Sequence, residues 1–166
     1  MSVQEVALRV CSKKRPDDTN SIHCALADHL LDFSDLARQR GRPETAGACL
    51  ARLSGMLEIC GPCFGTRTSK LHSFLRLHLE DAKLNGAKGN FSAAIRTGKL
   101  VLTRLQQGDE KDLATSDDER ICLISDASAL CGELMVDYKV ESGKNILRDY
   151  LGPASSYALR IYENNN

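Results

Sequence analysis

The sequence predicts an all-α protein, a stack of antiparallel helical hairpins forming an α-solenoid of about seven helices. Three observations predict it. Apolar residues recur at helical spacing nearly everywhere, and no alternating β-branched run is long enough for a strand. Glycine- and proline-bearing turns punctuate that pattern. Finally, part of the chain repeats itself: Leu36, Gly41 and Ala46 recur 48 positions later as Leu84, Gly89 and Ala94.

The elements follow in chain order. Val3, Val6, Ala7 and Val10 predict a first short helix, closed by Lys13-Lys14-Arg15-Pro16. Ser21 is the expected cap of a second, whose apolar stripe is Ile22, Leu26, Leu30, Phe33, Leu36 and Ala37. Gly41 ends it, and Pro43 suits the first turn of a third helix reaching Ile59, with Ala46, Cys49, Leu50, Leu53 and Leu57 on one face. After a Gly61-Pro62 break, a fourth carries Leu71, Phe74, Leu75, His78, Ala82 and Leu84. A fifth starts at Phe91 and holds Ala94, Ile95, Leu102 and Leu105. Gly108 to Asp118 is polar and acidic and reads as a loop. The sixth helix bears Ile121, Ile124, Ala127, Leu130, Leu134 and Tyr138; the last segment, Ile146 to Tyr162, is expected to kink or restart at Gly152-Pro153. Residues 1–163 make one domain, and 164–166 a frayed asparagine tail.

The repeat has a physical reading. A helix ends on a glycine that adopts the left-handed conformation, a short turn follows, and an alanine on the next helix lets two backbones approach. Each hairpin then buries its face against its neighbour.

Composition narrows the function. Lys plus Arg and Asp plus Glu balance at 22 each, against a dedicated nucleic-acid surface. No segment approaches the ~20 apolar residues that cross a bilayer. The stretch Ser2 to Pro16 lacks the apolar core and small-residue cleavage site of a secretory signal, so an intracellular protein is expected. Seven cysteines, Cys11, Cys24, Cys49, Cys60, Cys63, Cys122 and Cys131, are an odd number; five lie in helical patterns, where a thiol packs as a small hydrophobe.

The sharpest string is Cys60-Gly61-Pro62-Cys63, identical to the thioredoxin dithiol motif. That chemistry uses a helix N-terminus, whose dipole favours thiolate, whereas here the motif follows a predicted helix. It reads as a Gly-Pro turn, with a thiol-disulfide role for Cys60 and Cys63 as the alternative. Cys60, Cys63, His72 and His78 have some zinc-ligand spacing, but two histidines six apart do not share a helix face. Lys13-Lys14-Arg15 resembles an import or phosphate patch but suits a helix end, and Asp117-Asp118-Glu119 and Glu80-Asp81 read as solvated carboxylates. No nucleophile elbow, metalloprotease helix, phosphate loop or kinase catalytic loop is present. No catalytic, cofactor-binding or metal-ligating residue is assigned, and no cofactor is expected.

Gly89-Asn90-Phe91-Ser92-Ala93-Ala94, then Cys131-Gly132-Glu133-Leu134 and Ile146-Leu147-Arg148-Asp149-Tyr150-Leu151, resemble the FAT region of phosphatidylinositol 3-kinase-related kinases. The ATM type is the most similar. The resemblance spans Leu79 to Ile161, with Ile146, Leu147, Tyr150, Leu151 and Ala154 fitting its last pattern. Cys131 or Gly132 stands where that family has tryptophan, and Gly152-Pro153 interrupts the final helix. The resemblance implies a TPR-like stack of hairpins, a non-catalytic scaffold within a much larger nuclear serine/threonine kinase of the DNA-damage response. It implies protein partners, or the rest of that kinase chain. It transfers no catalytic residue.

Overall fold

The computed structural model describes residues 16–59, 67–107, 117–139 and 142–164. Its helices are α1 (Pro16–Gln39), α2 (Pro43–Ile59), α3 (Arg67–Ala87), α4 (Phe91–Gln107), α5 (Asp117–Tyr138), α6 (Gly143–Ile146) and α7 (Gly152–Asn164). A π-helical turn, Leu147–Leu151, joins α6 to α7, so the described residues form six helical runs and no strand. The expected helix at Val3 to Val10 and the Gly61-Pro62 break lie outside them.

Both predicted glycine turns have the expected geometry. Gly41 has φ +68° and Gly89 φ +81°. The Arg42 N–H donates to the Ala37 carbonyl at 2.8 Å and the Gly41 N–H to that of Arg38 at 3.0 Å. The same two bonds recur 48 residues on, Asn90 to Asn85 at 2.8 Å and Gly89 to Gly86 at 3.0 Å. This pair of bonds satisfies carbonyls that a helix end otherwise leaves bare. A side chain at Gly89 has room, its nearest neighbour being Phe91 Cε2 at 3.8 Å from an added Cβ. The cost of substitution is therefore backbone strain. Gly89→Val is expected to lose more than about 1 kcal/mol in a urea melt, because a β-branched residue resists positive φ; a curve overlaying the parent would contradict it.

Burial repeats with the same period. Ala27, Leu31, Ser34, Ala46, Leu53 and Leu57 are buried, as are Leu75, Leu79, Ala82, Ala94, Val101 and Leu105 in the matching places. A third hairpin follows without glycine: Lys139 takes φ +51° after α5, and its N–H donates to the Val136 carbonyl at 3.2 Å. Ser142 then caps α6 by accepting from the Asn145 N–H.

The packing order is α2 on α1, α3 on both, α4 on α3, α5 on α4 and α3, and α7 on α5. Two buried clusters result. Leu31, Leu50, Leu53, Leu57, Leu77 and Leu84 fill the first, around α1, α2 and α3. Leu75, Leu79, Val101, Leu105, Ile124, Met135 and Ile146 anchor the second. Helix α3 supplies both, so it is apolar on two sides rather than along one stripe.

Several expectations need correction. Helix α1 begins at Pro16, not after Ser21, because proline suits the first helical position. Of its expected stripe Ala37 is buried, Leu26 and Leu30 are half-buried, and Ile22, Phe33 and Leu36 are exposed; His23, Ala27, Leu31 and Ser34 complete the buried face. Burial lowers the pKa of His23, favouring its neutral form. Phe74 is exposed too, and Leu77 and Leu79 are buried in its stead. Asp117 and Asp118 open α5 instead of closing a loop, a place where the helix dipole favours acids. Helix α7 runs to Asn164.

The expected restart falls at Gly152, where the π turn gives way to α7. Proline lacks an N–H and crowds the carbonyl four residues back, a conflict that a wider turn relieves. Here the Gly152 N–H reaches five residues back to the Leu147 carbonyl, with φ −63° and ψ −52°. A Cβ on Gly152 would lie 2.8 Å from that oxygen.

Candidate functional site

Helices α1, α3 and α5 lie side by side, and a cleft of about 160 Å³ opens across them. Leu31, Leu79 and Leu123 contribute its apolar surface, one from each helix. Asp32 and Asp35 come from α1, Arg76, Glu80 and Lys83 from α3, and Asp126 from α5. Their spacing puts them together: Asp28, Asp32 and Asp35 lie on one face of α1, and Arg76, Glu80 and Lys83 occupy the same places 48 residues later.

The two helices are laced by charge. Arg76 meets Asp28 at 2.6 Å and Asp32 at 3.8 Å; Lys83 meets Glu80 at 2.6 Å; Arg38 pairs with Asp35 and lies 3.9 Å from Glu80. Asp28 and Asp32 are exposed and the other partners half-buried, so each pair still reaches solvent and is worth ~0–1 kcal/mol. The ladder aligns α1 with α3 rather than holding them together. The cleft lining still has four carboxylates against two cations. It holds no serine, cysteine or histidine to act as nucleophile.

The residues singled out in the sequence do not assemble there. Cys60 and Cys63 lie outside the described residues, as do Lys13 to Arg15 and the side chain of His72. His78 is half-buried and packs edge-on against Phe74, ring centroids 4.2 Å apart. Among the described residues no group of three or more His, Cys, Asp or Glu is placed to hold a metal. None of the described helices is long and apolar enough to cross a membrane. Cys131 is fully buried, and burial pushes its thiol up to about 11, with Lys99 pulling weakly the other way.

At Gly132 an added Cβ would lie 2.5 Å from Leu151 Cδ2. The tryptophan of the FAT pattern has no room at that position in this packing. Of that family's last pattern, Ile146 and Ala154 are buried, Tyr150 and Leu151 half-buried, and Leu147 exposed. Comparison with protein-family models, with curated proteins and with solved structures finds no match to this chain.

The cleft escaped sequence analysis because its charges come from separate helices. The 48-residue offset applied to charged positions, Asp28 to Arg76, Asp32 to Glu80 and Asp35 to Lys83, was the signal that could have found it.

Proposed function

We propose that this chain is a non-catalytic helical-repeat scaffold, a TPR-like solenoid segment whose α1–α3–α5 face docks other protein elements. The observation carrying this reading is the hairpin unit itself. Turn hydrogen bonds, left-handed glycines and buried positions recur with one 48-residue offset, as expected where each hairpin is stabilised by its neighbour. The cleft supports it by offering charge and leucine without a nucleophile.

On the FAT resemblance, the scaffold belongs to a large nuclear protein kinase of the ATM type. An antibody against this segment should then precipitate a polypeptide far larger than 18.2 kDa together with serine/threonine kinase activity. An immunoprecipitate without kinase activity overturns the kinase parentage and leaves the scaffold reading standing. The scaffold reading has its own test. The purified chain should not reduce insulin disulfides, and Cys60→Ser with Cys63→Ser should change nothing. Turnover abolished by that pair would replace scaffold with thiol-disulfide chemistry.

A further inference from the structure

The first two hairpins each seat the helix that follows them, and the seat is built the same way twice. A leucine stands five residues before each positive-φ turn residue, Gly41, Gly89 and Lys139: these are Leu36, Leu84 and Leu134. Leu84 and Leu134 are buried among residues of the hairpin before them. A Cβ on Gly47 would lie 3.7 Å from Leu84 Cδ2, and one on Gly86 would lie 3.2 Å from Leu134 Cδ2. Ile95 follows the buried Ala94 as Gly47 follows Ala46; it is 9% exposed and belongs to the cluster of Leu134. The third hairpin repeats the seat and leaves it uncovered. Val136 stands three residues before Lys139, as Gly86 does before Gly89. Leu147 follows the buried Ile146, whose N–H donates to the Ser142 carbonyl at 3.1 Å as that of Ala94 does to Asn90 at 3.0 Å. Val136 is 50% exposed and Leu147 61%, although their counterparts Gly86 and Ile95 meet the next helix.

Charge at one level of the hairpins selects what fits. Asp28, Arg76 and Asp126 each stand thirteen residues before their turn residue. Arg76 reaches back to Asp28 at 2.6 Å. Asp126 is exposed and has no ion pair among the described residues. A helix seated on the third hairpin by its leucine would bring the residue eight places before that leucine to Asp126. An arginine or lysine there repeats the contact of Arg76 with Asp28. Helix α1 of a second copy would bring Asp28 instead, and aspartate against aspartate disfavours it.

We propose that the third hairpin is a docking surface for a helix from a helical hairpin of a partner protein. The leucine of that helix covers Val136 and Leu147, and its Arg or Lys, eight residues earlier, meets Asp126. The surface continues the interface that already seats α3 on the first hairpin and α5 on the second. The inference rests on the scaffold reading and names a surface and partner class for it.

The test uses the full chain and a fluorescent peptide of Arg67–Ala87, which carries Arg76 and Leu84 at the required spacing. A hydrocarbon cross-link away from those two residues holds it helical. The peptide should bind, its Leu84→Gln form at least about tenfold more weakly and its Arg76→Asp form several-fold more weakly. In the chain, Leu147→Gln should weaken binding by about tenfold and Val136→Gln by several-fold, with circular-dichroism melts unchanged. Asp126→Lys should reverse the charge preference, binding the Arg76→Asp peptide more tightly than the parent peptide. No binding of the parent peptide at about 1 mM overturns the proposal, as does binding indifferent to Leu147→Gln. Binding lost in Leu36→Gln instead of Leu147→Gln also overturns it, moving the partner to α1. A Leu147-dependent dimer in light scattering overturns it in favour of a second copy. Each of these results sinks this inference alone, because the scaffold reading is tested by insulin reduction, which Val136, Leu147 and Asp126 do not enter.

Discussion

Gly132→Val is expected to lower stability by about 3 kcal/mol, the upper range for forcing bulk into a packed interior. Gly132 lies on α5 where the π turn crosses it. An added Cβ would stand 2.5 Å from Leu151 Cδ2, 2.8 Å from Leu151 Cγ and 3.3 Å from Tyr150 Cβ. A flexible methyl could swing aside, but Cγ is held close to the main chain, so α5 and the π turn must part. Parting them loosens Met135 and Ile146, both almost wholly buried. Gly132→Ala should cost less, because replacing a mid-helix glycine by alanine returns about 1 kcal/mol of helix propensity. Urea melts of the valine variant alone and with Leu151→Ala check this. The pair should be less unstable than the two single changes summed, the mark of direct contact. A valine variant that melts with the parent would show that the helices are not packed this way.

Gly98→Ala should cost about 2 kcal/mol despite that same propensity gain. Its Cβ would lie 2.6 Å from Cys131 Sγ, and Cys131 is fully buried. The sulfur cannot move outward, so α4 and α5 must separate. Cys131→Ala opens the space an alanine at 98 would fill, and the double variant should be close in stability to Cys131→Ala alone. A second readout follows from the thiol. With its pKa near 11 and no exposure, Cys131 should resist iodoacetamide at pH 8 in the parent and react faster in Gly98→Ala, where the interface is forced open. Strictly additive stabilities with unchanged alkylation would refute the contact.

Glycine made the first two hairpins legible. Gly41 and Gly89 stand where a left-handed residue is needed, and few other residues enter that conformation cheaply. The third turn uses Lys139 there, so no residue announced it. Reading the core of α1 failed for a different reason. The large side chains Ile22, Phe33 and Leu36 suggested a stripe, yet of that stripe only Ala37 is fully buried, and the helix also buries the small Ala27 and Ser34 where α2 comes close. Ser34 shows how close: its hydroxyl donates to the Ala46 carbonyl on α2 at 3.3 Å. Hydrophobicity ranks bulk, whereas close approach selects its absence. Helix α2, covered along one side only, was read correctly at Ala46, Leu50, Leu53 and Leu57.

The π turn sets the phase of everything after it. One residue too many for an α-helical turn between Leu147 and Gly152 rotates the following helix by about 100° relative to an unbroken α-helix. That rotation keeps Ala154 buried against α5, with its carbonyl accepting from the Ser125 hydroxyl at 3.1 Å. The final helix is thus indexed to the rest of the stack like a gear set one tooth on. Shortening this stretch by a single residue would leave its helicity intact while turning another side of α7 toward α5.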